Sequence, residues 1–255
     1  MGNIITILTD FGTKDHYTGS IKGVIYGINP EAIIADITHE VPRHDIIRAS
    51  FLLKSFHGYF PRGPVHLVVV DPGVASSRLP VAVSAGGQFF IGPDNGVFSL
   101  IYENSRELKI IAIENEDYMR SEISSTFHGR DVFAPAAAHI SRGLPIEDLG
   151  SPLSSPVLLD FPEPAINGNE ISGEILYTDT FGNMTTNIKG SNVPVNSTII
   201  IDSHRIEHIS ASYSEAAEGE LLALTGSSGY LEISVNRGSA RELIGKEVAR
   251  VRVIT

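Results

Sequence analysis

The 255-residue chain has no cysteine, which removes disulfides, thiolate metal sites and a cysteine nucleophile together. Its chemistry has to come from Asp, Glu, His, Arg, Ser, Thr or Tyr. Basic residues are scarce: 19 Lys and Arg stand against 30 Asp and Glu, for a formal charge of −11. Phosphate binding needs a clustered excess of cations, so a nucleic-acid partner is disfavoured, whereas a cationic small molecule suits an acidic chain. No apolar run approaches the length of a membrane span, and the opening MGNIITILTD lacks the leader of a secretory signal. The expectation is a cytoplasmic protein with no membrane partner. Met1, Gly2 and Thr6 do fit the bare myristoylation pattern, but Ile4–Leu8 reads as a core strand that starts at once.

Common cofactor signatures are missing as well. No G-x-G-x-x-G opens a helix after the first strand. Asp10-Phe11-Gly12 shares its letters with a protein-kinase motif, yet no glycine-rich loop and lysine precede it. A metal-hydrolase reading would use Asp10, His39, His44, Asp71 and His128, and no two histidines of that set have the spacing that places both on one metal from a single element.

What is present is a two-part pattern. Over residues 1–150, short β-branched runs (Ile4–Leu8, Ala32–Ile37, Val65–Val70, Val81–Ser84, Phe89–Ile91, Lys109–Ile113) alternate with helical periodicity at His16–Ile28, Asp45–Gly58, Val97–Glu103 and Asp131–Arg142. This predicts an α/β domain, a mainly parallel sheet covered by helices. Residues 151–168, with their repeated prolines, read as a linker. Residues 169–255 alternate apolar and polar positions between Gly, Asn and Ser turns and predict a small antiparallel β-barrel.

Polar clusters follow the predicted strands: TDFGTKD after the first, VVVDPGVASSR after the third, GPDNG after the fifth, and STFHGRD ahead of an Ala-rich helix. Open parallel sheets collect ligands outside the carboxyl ends of their strands, so these loops are expected to be neighbours. Asp10 is placed to accept ribose hydroxyls, as acidic residues do near strand ends in nucleotide folds, or simply to cap its own turn. Asp71 and Arg78 lie on one loop, either as a functional carboxylate and guanidinium or as a surface ion pair. His128, at a helix N-terminus, has its protonated form disfavoured by the helix dipole. In the second half, Asn183 can read a purine edge while Phe181 or Tyr230 offers a stacking face, and hairpin turns explain the same residues without any ligand.

Taken jointly, TDFGTKDHYTGSIKG, ADITHEVPRHDI, VVVDPGVASSR, GPDNGVF, STFHGRDVFAPAAAHI, DTFGNMTTNI and SSGYLEISVNRGSA are similar in order and spacing to the S-adenosylmethionine (SAM) hydrolases, or hydroxide adenosyltransferases. That family also includes fluorinating and chlorinating enzymes. The resemblance implies an N-terminal α/β domain, a C-terminal β-barrel, and a homotrimer with active sites between subunits. It implies cleavage of SAM to adenosine and methionine by water or hydroxide attacking the ribose 5′ carbon, with no cofactor and no metal. By resemblance, Asp10 accepts the ribose hydroxyls; Asp15, Asp179 and Ser227 meet the methionine amino and carboxylate groups; and Asn183, with the backbone near Arg237, reads adenine. Thr126 and Phe127 match residues that line the reacting carbon. The hydrolytic branch surrounds its water with an Asp, an Arg and a His, matched here by Asp71, Arg78 and His128. Gly129 stands where the halogenating branch has a halide-holding serine. His44 departs from an apolar aromatic of that branch, and Ser228 from an arginine that contacts the methionine carboxylate. The competing expectations are a SAM-dependent halogenase and a non-catalytic adenosine- or SAM-binding protein.

Overall fold

The computed structural model describes residues 3–103, 105, 107–246 and 249–255. The Met1-Gly2 start of the myristoylation pattern lies outside them. The described residues form two compact units that divide after Leu159, and among them no helix is long and apolar enough to cross a membrane.

In the first unit, strands β1 (Ile4–Thr9), β2 (Ile33–Thr38), β3 (Val65–Val69), β4 (Pro80–Ala85), β5 (Gln88–Pro93) and β6 (Lys109–Ala112) form one six-stranded sheet in the order β2-β1-β3-β5-β4-β6. The ladders β1/β2, β1/β3 and β3/β5 are parallel, while β4 runs antiparallel to both β5 and β6. The sheet is therefore mixed, and mostly parallel where the site lies. The antiparallel pair arises at Gly86-Gly87, whose φ values of 61° and 81° supply the two left-handed residues that a tight two-residue hairpin requires. Strand β3 is buried along its whole length, because both faces of the sheet are covered. Leu67 and Val69 pack against Ile21 and Ile25 of α1 (Tyr17–Ile28) and the alanines of α4 (Ala134–Ser141). On the other face Val68 and Val70 meet Ala49 and Leu53 of α2 (Ile46–Phe56) and Ile101 of α3 (Ser99–Tyr102). Helix α3 is only a single turn, shorter than the periodicity of Val97–Glu103 suggests. Helix α4 is entered through a π-helical turn, Gly129–Phe133.

The second unit comprises β7 (Ala165–Asn167), β8 (Glu170–Thr178), β9 (Met184–Lys189), β10 (Thr198–Ile201), β11 (His204–Ile206), β12 (Ile209–Ser210), β13 (Leu221–Thr225), β14 (Tyr230–Val235), α5 (Ala240–Ile244) and β15 (Arg250–Ile254). The order β11-β10-β15-β8-β9-β14-β13-β12, with β7 added beside β8, is antiparallel except for β12/β13. It curls into a nearly closed barrel around Ile175, Met184, Ile199, Ile233 and Val253. The proline-rich stretch is shared between the units. Val157 N–H donates to Asp94 and Leu159 N–H to Ser99 in the first, whereas Ala165–Asn167 forms β7 in the second.

Candidate functional site

The carboxyl ends of β1 and β3 open onto a cavity of about 380 Å³, whose walls include Asp10, Asp15, Asp71, Thr126, Phe127 and His128. Six expected site residues, drawn from three loops, are thus neighbours. The GPDNG loop does not reach the wall. It braces the site from behind: Asn95 Nδ2 donates to the Val70 carbonyl at 2.9 Å, holding the chain just before Asp71.

Each loop is fixed by its own hydrogen bonds. After β1 the chain turns at Gly12, with φ of 70°, and Gly12 N–H donates to the His39 carbonyl at 2.7 Å. Asp10 Oδ2 accepts the His44 N–H at 3.0 Å, and His44 itself is in the left-handed region, φ 67°. After β3 the loop folds back on itself: Ser76 N–H and Oγ–H both donate to the Gly73 carbonyl, and the Arg78 N–H donates to Ser76 Oγ. The third loop is anchored by the fully buried Asp131, which accepts from the Ser124 N–H at 2.9 Å and from both forks of Arg130 at 2.6 and 2.8 Å. Burial alone would raise the Asp131 pKa; the hydrogen bonds from Arg130 and Ser124 and the Arg charges outweigh it and hold the carboxyl low.

Asp71, Arg78 and His128 form one hydrogen-bonded unit. Arg78 Nε donates to Asp71 Oδ1 at 2.9 Å and Oδ2 at 3.1 Å, and Nη2 donates to Oδ2 as well. Both side chains are less than one-tenth exposed. Nη2 also reaches His128 Nδ1 at 3.1 Å. A guanidinium only donates, so Nδ1 must accept and the neutral imidazole carries its proton on Nε2. The His128 pKa is lowered, first by burial and then by the Arg78 charge, against the opposing pull of Asp71 and Asp131. The ring is kept neutral by these causes rather than by a helix dipole alone. Arg78 does not itself line the cavity. It lies behind Asp71 and His128, with the Phe133 ring centroid 5.1 Å from its central carbon, and its buried Nη1 has no hydrogen-bond partner among the described residues.

The apolar wall comes from Phe11, Tyr17 and Phe127, three rings in mutual contact with centroids 5.2–5.8 Å apart. Tyr17 and Arg43 also line the cavity and were not anticipated. Tyr17 gives a signal only in retrospect, as the first residue of α1, and Arg43 reads as an ordinary surface arginine.

In the second unit the expected residues fall in two groups. Asp179 Oδ1 accepts the N–H groups of Phe181 and Asn183, both at 2.9 Å, and Oδ2 accepts Asn183 Nδ2 at 3.0 Å. Phe181 projects with 76% exposure. Arg237, at φ 55°, sits on the same end of the barrel, since Gly182 abuts Ser239 and Met184 pairs with Ile233. Ser227 lies in the β13–β14 hairpin at the other end of that ladder, where Tyr230 pairs with Lys189. Between them, Tyr213 donates to Glu232 at 2.8 Å, and burial together with Glu232 pushes the Tyr213 pKa up to about 12.

Among the described residues no three His, Asp or Glu side chains are grouped to hold a metal ion. His39 is turned to Thr9 at 2.9 Å rather than to the cavity. His204 and His208 do have a four-residue spacing, but His204 opens strand β11 and His208 follows it, and four residues of extended chain span roughly 13 Å.

A mixed α/β sheet with a polar cavity at its carboxyl ends, followed by a β-barrel, defines a two-part class that family comparison resolves. Residues 5–150 match the N-terminal domain of the SAM hydroxide adenosyltransferases and residues 173–251 match their C-terminal domain; the chain belongs to that family. A Thermus thermophilus (R)-S-adenosyl-L-methionine hydrolase is 37% identical over 98% of this chain and 99% of its own length. A fluorinase from an Actinoplanes species is 25% identical over 72% of this chain and 71% of its own. The crystal structure of a conserved Thermotoga maritima protein superposes with a TM-score of 0.93 at 37% identity, covering 98% of this chain and all of that one.

Proposed function

We propose that this protein hydrolyses S-adenosyl-L-methionine to adenosine and L-methionine, by in-line attack of water or hydroxide on the ribose 5′ carbon, at the cavity beside Asp10. The observation that carries this reading is the Asp71–Arg78–His128 unit, which presents a carboxylate and an imidazole N–H to the same cavity as Asp10 and the Phe127 ring.

Hydroxide meeting a sulfonium cancels opposite charges, so the transition state is less polar than the reactants and an aromatic pocket favours it. The neutral thioether of methionine leaves without acid assistance. The demanding step is the nucleophile, because bulk water has a pKa near 15.7. Neutral His128 already holds its proton on Nε2, so it orients the water as a donor, and Asp71 is the acceptor on the cavity wall. Arg78 lowers the cost of the developing charge from behind through its two partners. In this reading no metal is needed. Asp10 holds the ribose, Asp15 meets the methionine amino group, and Thr126 and Phe127 flank the reacting carbon. Asp179, Phe181, Asn183, Ser227, Tyr230 and Arg237 act from the barrel of a neighbouring subunit in a homotrimer.

Gly129 favours hydroxide over halide. It has no hydroxyl to hold an anion, and a Cβ there would press on Val69 at 3.2 Å. The test is incubation of the purified protein with SAM, with and without chloride, and chromatography of the nucleosides. Adenosine in both is expected. Chlorodeoxyadenosine would convert the reading to a halogenase, and tight binding without turnover to a SAM-binding protein.

A further inference from the structure

The acidic residues that line the cavity are Asp10, Asp15 and Asp71, and the one Arg or Lys is Arg43. Asp71 is already matched by Arg78, which leaves two carboxylates and one guanidinium facing the space. Resting on the hydrolase reading, we infer that Arg43 binds the α-carboxylate of the substrate's methionine portion and selects for amino-acid-bearing sulfonium substrates.

Three features of this chain carry the assignment. The first is charge. SAM offers a sulfonium, an ammonium and a carboxylate; acidic residues suit the first two, and a carboxylate taken out of water among Asp10, Asp15 and Asp71 needs a cation beside it. Arg43 is the one fixed cation on the wall among the described residues, and its planar fork matches a carboxylate with two parallel hydrogen bonds.

The second is availability. Arg43 is exposed and makes no ion pair or side-chain hydrogen bond among the described residues, in contrast to Arg48, the next arginine along, which pairs with Asp45, and Arg130, which forks onto Asp131. Its charge is free for a ligand.

The third is a fixed base for the side chain. The neighbouring His44 adopts φ 67°, a conformation that a residue with a Cβ avoids unless its surroundings impose it. It is imposed here from both sides. His44 N–H donates to Asp10 Oδ2 at 3.0 Å, and the Asp45 N–H donates to the Pro42 carbonyl at 3.0 Å while the Asp45 side chain caps α2. The Pro42–Asp45 corner is thereby tied to the carboxylate expected to hold the ribose, so Arg43 springs from a backbone set in register with the substrate's sugar.

The experiment compares SAM with decarboxylated SAM, which keeps the sulfonium and amine and lacks only the carboxylate. Arg43→Gln is expected to raise KM for SAM about 10- to 100-fold, the loss of a charge-assisted hydrogen bond, with kcat changed only a few-fold. The preference of the wild-type enzyme for SAM over decarboxylated SAM should shrink by the same factor, and Arg43→Lys should recover part of it. Equal losses on both substrates, or an unchanged KM for SAM in a variant that melts like the wild type, would overturn the assignment while leaving the hydrolase reading intact. Wild-type protein that releases no adenosine from either substrate overturns both.

Discussion

His128 accepts from Arg78 at Nδ1, and that one contact settles what the imidazole offers the cavity: a donor and no free lone pair. Arg78 in turn uses Nε and Nη2 on Asp71 and Nη2 again on His128. A lysine keeps the charge but is a single point on a flexible stem, and it cannot fork onto a carboxylate while also reaching a ring nitrogen. Arg78→Lys is therefore expected to lower kcat about 100- to 1,000-fold, the size of losing one preorganised electrostatic donor, with KM for SAM within a few-fold of wild type. Steady-state adenosine release measures both, and an unchanged kcat would remove Arg78 from the mechanism. The sequence puts Asp71 and Arg78 on one loop and STFHGRD ahead of a helix, but it is the family resemblance, not position, that singles these three out as a trio. That Arg78 stands behind its partners, and that Arg43 faces the cavity, is not legible. Both depend on side-chain direction at turns, which periodicity does not encode.

At the scale of elements, the strands and the long helices follow the hydrophobic pattern closely. The exceptions have local causes. The pattern over Asp131–Arg142 reads as one helix, yet its first turn is π-helical around Asp131, a fully buried carboxylate that holds Ser124 and Arg130; such bulges recur at functional sites and leave no periodic trace. The β4–β5 hairpin breaks the parallel expectation because two adjacent glycines allow a turn tighter than any crossover. Turn glycines can be as demanding as catalytic groups. Gly182, at φ 85°, leaves no room for a Cβ, which would overlap the Ser239 hydroxyl that caps α5. Gly182→Ala is expected to destabilise the protein by about 2–3 kcal/mol, from strain at positive φ plus a displaced cap, read as a lowered denaturant midpoint. A change under about 0.5 kcal/mol, typical of an uncritical surface position, would show that the turn accommodates the methyl group.

For the whole molecule, the absence of cysteine leaves packing and hydrogen bonds to hold each unit together internally, and histidines in the packing make it sensitive to acid. His57, His66, His128 and His139 all have pKa values lowered by burial, His66 to about 4. His66 is fully buried on β3, with Nδ1 on Thr6 at 2.8 Å and the Gln88 side chain only partly offsetting the burial. A base whose pKa is depressed on folding binds protons more readily when unfolded, so stability is complete above about 6.5 and is lost as pH falls from there toward 4. His66 alone contributes on the order of 3 kcal/mol to that loss. Asp36 and Asp131, held low by Lys22 and Arg130, add theirs only at more acid pH. Urea midpoints measured from pH 7 to pH 4 should fall steadily, and a flat profile would mean that His66 is not buried neutral. The two-part organisation is legible from the prolines between the halves. The division after Leu159 is not, because residues 157–159 are tied to the first unit by bonds to Asp94 and Ser99, partners more than fifty positions away.

The central claim, that oxygen from water enters at the 5′ carbon as sulfur leaves, is tested most directly by running the reaction in ¹⁸O-labelled water and weighing both products. The predicted result is one ¹⁸O in the 5′-hydroxyl of adenosine and none in methionine. Unlabelled adenosine, or label recovered in the amino acid, would contradict it.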